Sequence, residues 1–235
     1  MVRNTIGILG GVGPYATVDL FLKIIKATPA QKDQDHLRII IDDNPQIPDR
    51  TEAILGKGPS PLPKMIETAK NLERAGADFI VIPCNTAHYF LGDLEAEISI
   101  PVLNMVEETR KTVKEQFPLA GKVGLLATTG TIKSRIYHKA FEEIDWEVVV
   151  PDKISQEVVM DAIYGEKGLK AGYFEEPKKK IIKIARSLID RGAKVILAGC
   201  TEVSLVLKSE DLSVPVLDPT HILAKAAVRE AYPQD

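Results

Sequence analysis

The chain has 235 residues, 45% hydrophobic and 27% charged, with a formal net charge of −3. That balance suits one large packed domain or two small lobes, not a disordered or fibrous chain. With no basic face in prospect, nucleic acid is not expected as a partner. No segment approaches the roughly 18–20 apolar residues of a membrane span. Met1-Val2-Arg3-Asn4 runs directly into a strand-like stretch, so no signal peptide is expected and the sequence reads as cytoplasmic. Two cysteines far apart in a reducing compartment argue against a disulfide, and two thiols alone do not build a zinc site, so no metal is expected.

In chain order, Thr5–Leu9, Leu37–Ile41, Asp78–Ile82, Pro101–Leu103, Lys122–Ala127, Glu147–Val150, Lys194–Ala198 and Pro215–Leu217 are predicted strands. Most are apolar throughout, as in parallel sheets covered on both faces. Between them, Met65–Ala75 and Ile181–Arg191 space their apolar residues as helices do, and Gly76 and Gly192 suit the left-handed position that ends a helix. Pro14 fits the first turn of another helix. This alternation predicts an α/β fold.

The two halves of the chain echo one another. Gly7 in Ile-Gly-Ile-Leu, Cys84 after an apolar strand, and Pro101 in Ile-Pro-Val-Leu-Asn match Gly124 in Val-Gly-Leu-Leu, Cys200, and Pro215 in Val-Pro-Val-Leu-Asp. Spacings differ by one residue from glycine to cysteine and by two from cysteine to proline. The repeat predicts two pseudo-symmetric lobes, each a mostly parallel sheet with helices on both faces. The expected division is 1–116 with Cys84, 117–218 with Cys200, and a C-terminal helix within 219–235 packing back on the first lobe, as Glu107–Glu115 crosses over to the second.

Each cysteine closes a predicted strand at the edge where ligands bind in open α/β sheets. A helix start beyond it favours a thiolate and attracts a carboxylate. Two facing lobes would hold one thiol on each side of a cleft, as a two-base proton transfer needs. A lone cysteine is more often a small buried hydrophobe, but a matched pair at strand ends favours chemistry.

Gly10-Gly11-Val12-Gly13-Pro14-Tyr15-Ala16-Thr17, Pro83-Cys84-Asn85-Thr86-Ala87-His88 and Ala198-Gly199-Cys200-Thr201-Glu202 resemble the three signatures of the cofactor-independent aspartate/glutamate racemases. The Gly-Gly-x-Gly-Pro and Gly-Cys-Thr-Glu forms are closer to the aspartate racemase branch. The resemblance runs from Gly7 to about Leu223. It implies a racemase of aspartate or glutamate with no cofactor, with Cys84 and Cys200 as catalytic residues, and a homodimer. It also implies that Arg50, in Pro48-Asp49-Arg50, and Lys170, in Gly168-Leu-Lys-Ala-Gly172, hold the substrate side-chain carboxylate. A planar guanidinium and an ammonium suit that anion. Gly11, Val12, Asn85, Thr86, Thr131, Thr201 and Glu202 complete the expected substrate-binding set, Glu202 orienting either the substrate ammonium or a thiol. Val12 stands where many relatives carry Met.

Other signals are weaker. Gly11-x-Gly13-x-x-Ala16 mimics a dinucleotide fingerprint but has no clearly placed acid about 20 residues on. Cys84 and His88 lack a third metal ligand, so His88 is expected to pack near the cleft. Glu107 and Glu108 read as a solvated helix surface. Within the enzyme class the alternatives are a maleate isomerase, a hydantoin racemase or an arylmalonate decarboxylase. Outside it, a two-lobed cleft also suits a non-catalytic amino-acid-binding protein.

Overall fold

The computed structural model describes residues 3–119 and 121–232. In the first lobe β1 (Ile6–Gly10) lies between β2 (Ile39–Asp43) and β3 (Phe79–Val81), all parallel. Its helices are α1 (Pro14–Ala27), α2 (Arg50–Ile54), α3 (Leu62–Arg74), α4 (Leu91–Glu95) and α5 (Met105–Gln116). In the second lobe β4 (Lys122–Leu126) and β6 (Val195–Ala198) are central, with β5 (Glu147–Val149) and β7 (Val216–Leu217) at the edges, again all parallel. Its helices are α6 (Thr129–Ser134), α7 (Ile136–Glu142), α8 (Lys153–Tyr164), α9 (Glu175–Asp190), α10 (Thr201–Val206) and α11 (Pro219–Ala231). Among the described residues no helix is long and apolar enough to cross a membrane.

The predicted strands are present with edges shifted by a residue or two, except Pro101–Leu103. There only a single bridge forms, Val102 to Ile80, where the second lobe pairs β7 with β6 at Ile196. The loss is one of length, since Ile80 still takes a partner at the equivalent position.

Alternation along the central strands feeds both faces of each sheet. Ile6 and Ile8 pack with Leu20 and Ile24 of α1 and with Leu223, Ala224 and Ala227 of α11, while Leu9 joins Met65, Ala69 and Leu72 of α3. In the second lobe Val123 and Leu125 meet Tyr137 and Phe141 of α7 and Val106 and Val113 of α5, while Leu126 and Ile196 meet α8 and α9. Thus α5 leaves the first half to cover the second sheet, and α11 returns to cover the first.

The repeated glycines have a packing cause. A Cβ on Gly7 would stand 2.9 Å from Ala77 Cβ and 3.4 Å from Leu72 Cβ. A Cβ on Gly124 would stand 2.6 Å from Ile196 Cδ1 and 3.0 Å from Leu188 Cβ. In both lobes the missing side chain lets the long helix close on the central strand. Gly76 and Gly192 end those helices at φ of 90° and 96°, the left-handed region expected of them.

Glu108 departs from the solvated surface expected of it. Its carboxylate is buried between Lys111, at 2.8 Å, and Arg229 of α11, at 2.6 Å, tying the two crossing helices together. Burial works to raise its pKa, but the two cations outweigh that and hold it below the usual glutamate value. Its stabilising contribution is therefore complete above the ordinary glutamate range and is lost as pH falls through the folded value. Glu108→Gln is expected to lower stability at neutral pH and to flatten the acid limb of a stability-against-pH curve. Gly124→Ala is expected to cost about 1–3 kcal/mol in urea unfolding, through overpacking against Ile196 and Leu188.

Candidate active site

The carboxyl ends of β3 and β6 bring the two cysteines to one place. After Val81 the chain turns through Pro83, and the Cys84 N–H donates to the Ile82 carbonyl at 2.8 Å. His88 holds this turn. Its Nε2 accepts from the Met105 N–H at 3.1 Å, so Nδ1 carries the proton that goes to the Cys84 carbonyl at 2.8 Å. Burial lowers the His88 pKa and keeps the ring neutral. Cys200 immediately precedes α10. Both thiols are free and buried.

Cys84 and Cys200 line a single narrow chamber in which ≈ 10 Å³ admits the centre of a water molecule. That is room for about one water. Val12, Arg50, Asn85, Thr86, Lys170, Thr201 and Glu202 of the predicted set line the same chamber. Arg50, Lys170 and Glu202 also form the neck to an outer vestibule of ≈ 330 Å³, walled by Tyr15, Pro45 and Ile47. A larger cavity, ≈ 640 Å³, lies elsewhere, against α5 and α11, where Lys23 pairs with Asp218 and Arg229 with Glu108. It contains neither thiol.

Two expected residues stand outside the chamber. Gly11 faces the vestibule; its N–H donates to Thr17 Oγ1 at 3.0 Å, and the Asn44 backbone fills the space of its missing side chain. The glycine serves a close chain crossing, and its donor is already used. Thr131 sits one layer back, with its hydroxyl 2.7 Å from that of Thr86. With Thr51 and Thr128 these make a buried hydroxyl network joining the lobes, and Gly130 gives α6 room to approach Thr51.

Asp49 aims Arg50 by capping α2: one carboxylate oxygen accepts from the Glu52 N–H at 2.9 Å and the other from the Tyr164 hydroxyl at 2.9 Å. The guanidinium then turns inward and donates to the carbonyls of Ile47, Pro48 and Val12. Burial works to lower its pKa, but the adjoining Cys84 sulfur and Asp49 carboxylate raise it overall. Arg50 Nε has no partner among the described residues. Asn85 Oδ1 accepts from the Tyr137 hydroxyl at 2.5 Å, and Nδ2 has no partner among the described residues. Two buried unpaired donors in one chamber are costly unless an acceptor occupies it.

Opposite them, Lys170 is carried on a short turn (Leu169–Ala171) and does not stand free. It pairs with Glu202 Oε1 at 2.5 Å, while Glu202 Oε2 accepts from the Cys200 thiol at 3.0 Å and the Thr201 hydroxyl at 3.1 Å. Burial alone would raise the Glu202 pKa, but Lys170 and these hydrogen bonds hold it below the usual range. Burial pushes the Cys200 thiol well up, Glu202 adds to this, and Lys170 offsets only part. At Cys200 burial and Glu202 thus work against the thiolate that a helix start would favour. The helix beyond it has only six residues, and beyond Cys84 there is a 3₁₀ segment (Thr86–Phe90), so nearby charges and burial decide.

Thr128 and Tyr164 also line the chamber and were not anticipated. Thr128 follows β4 as Gly11 follows β1, a signal available from the repeat. Tyr164, at the end of α8, carries none. Among the described residues no three His, Cys, Asp or Glu side chains gather as metal ligands.

A two-lobed parallel α/β fold with paired strand-end thiols defines a class, and comparison supplies the family. The profile described as Asp/Glu/Hydantoin racemase matches residues 9–227, and the chain belongs to that family. It is 31% identical over 233 residues to the broad specificity amino-acid racemase RacX of Bacillus subtilis (strain 168), covering 95% of this chain and 96% of the relative. Among solved structures, the Picrophilus torridus aspartate racemase superimposes with a TM-score of 0.86 at 30% identity, covering 97% of this chain and 94% of that one. An aspartate racemase homologue from Pyrococcus horikoshii OT3 gives 0.76 at 28% identity, covering 98% and 99%.

The unpaired donors predict an anion in the chamber. Succinate or malonate is expected to raise the melting temperature in a concentration-dependent way, approaching about 2.7 kcal/mol at a hundredfold excess over Kd. Arg50→Ala should remove most of that shift in a thermal-denaturation assay.

Proposed function

We propose that this chain interconverts the L and D forms of aspartate, glutamate or both, by transferring protons between Cα and the two thiols, with no pyridoxal cofactor. The observation that carries the reading is that both cysteines line one narrow chamber beside unpaired donors of Arg50 and Asn85. The Cα proton of an amino acid is weakly acidic, so the charge that develops on its removal needs preorganised donors in a water-poor site. Arg50 and Lys170 provide for a side-chain carboxylate. Asn85, Thr86 and Thr201 provide for the α-carboxylate, and Val12 for a wall of the pocket. One thiolate takes the Cα proton, and the thiol of the other cysteine delivers its own proton to the opposite face. Because the chamber holds about one water, substrate binding requires the neck at Arg50, Lys170 and Glu202 to widen. The homodimer belongs to the same proposal, supported by the exposed face of α1 with Tyr15, Val18 and Leu22.

Arg50 at the neck, beside a Lys170 whose charge Glu202 shares, favours a substrate with a second carboxylate over a hydantoin or a neutral amino acid. The broad specificity relative makes a neutral panel the right control. Circular dichroism of L-Asp, L-Glu and neutral amino acids, with protein free of pyridoxal phosphate, tests the proposal. The acidic substrates should lose their signal to zero, and Cys84→Ala and Cys200→Ala should each slow this by about 10²–10⁴-fold. Unchanged optical activity of every acidic amino acid, or full activity in either variant, would overturn it.

A further inference from the structure

The two thiols sit in different surroundings: Arg50 adjoins Cys84, and a carboxylate adjoins Cys200. Glu202 lies two residues beyond Cys200; the matching position beyond Cys84 is Thr86. The carboxylate is buried, with its oxygens shared among Lys170, Thr201 and the Cys200 thiol at 2.5–3.1 Å. Gly13 of the first lobe leaves the space it occupies: a Cβ there would stand 2.7 Å from Glu202 Oε1. A carboxylate so fully engaged has little capacity left for a substrate ammonium. It accepts the one proton that Cys200 has to give.

We propose that Glu202 is a positioning residue that keeps the Cys200 sulfur protonated between turnovers, so that the resting protein holds its transferable proton there and uses Cys84 as the base. This rests on the racemase reading above. In one direction the Cys84 thiolate takes the Cα proton, and the Cys200 S–H bond breaks to protonate the opposite face. That leaves Cys84 as a thiol and Cys200 as a thiolate 3.0 Å from a carboxylate. Repulsion between those anions disfavours this product form. The proton returns to Cys200 through solvent exchange or through reaction of the opposite enantiomer. The direction of the Cys200 shift agrees with this picture. The other charged or titratable groups facing the pair are Lys170, Arg50, Cys84 and Tyr164, with Asp49 at the rim.

Enantiomers have equal free energy, so kcat/KM must be the same in both directions. An unequal resting protonation therefore appears only as a split of kcat and KM between L and D substrate, and Glu202→Gln should narrow that split.

A titration that needs no turnover separates this claim from the racemase reading. In Cys84→Ala protein Cys200 is the only thiol, and its ultraviolet thiolate absorbance can be followed against pH. Adding Glu202→Gln removes the anion and frees Lys170, and should lower the midpoint by about one unit or more. Adding Lys170→Met instead should raise it. If Glu202 served only to anchor Lys170, both changes would raise the midpoint, and a rise or no shift with Glu202→Gln would overturn the proposal. Should Glu202→Gln fail to fold, Glu202→Asp withdraws the carboxylate from the sulfur by one methylene and should also lower the midpoint, and a rise or no shift there would overturn the proposal.

Discussion

Charge buried at the seam between two sheets governs this molecule. A guanidinium, an ammonium and a carboxylate surround a chamber with room for about one water. None of them can be removed from solvent without partners. The fold supplies these from both sides: Ile47, Pro48 and Val12 carbonyls for Arg50, and Lys170, Thr201 and Cys200 for Glu202. What remains unsatisfied, Arg50 Nε and Asn85 Nδ2, defines where an incoming anion gains most.

The duplicated architecture explains how such a seam arises. Parallel strands place their carboxyl ends together, and two such sheets facing one another place two strand ends across one cleft. Exchange of α5 and α11 between the lobes, with Glu108 and Arg229 as their ionic link, fixes the two halves in register. Within this near-symmetry the loops after the cysteines diverge, and the divergence carries the chemistry. Thr86 joins a hydroxyl network, whereas Glu202 sets a negative charge against its neighbouring sulfur.

Much of the fold was legible because burial on both faces of a sheet leaves an apolar run that periodicity reveals. The glycines at 7, 76, 124 and 192 were legible because each meets a steric demand that recurs in both halves. Most of the chamber lining followed from the motifs around Cys84 and Cys200, with Arg50 and Lys170 placed only by family resemblance. What sequence could not give was pairing across distance. Nothing near Lys170 announces that Glu202 neutralises it, nor does anything near Tyr164 announce Asp49. Glu108 was misjudged because its partner Arg229 lies on a helix that returns from the far end of the chain. Gly11 lines the vestibule and not the chamber, and the need for glycine there comes from the Asn44 backbone, which no local motif announces.

The central claim is that two sulfurs address opposite faces of one carbon. The most direct measurement is the position of solvent label early in the reaction. With unlabelled L-aspartate or L-glutamate in D₂O, the first D product should carry deuterium at Cα while the remaining L substrate carries none. Deuterium entering recovered substrate as fast as product, or product keeping its original proton, would mean that one group serves both faces and would contradict the account.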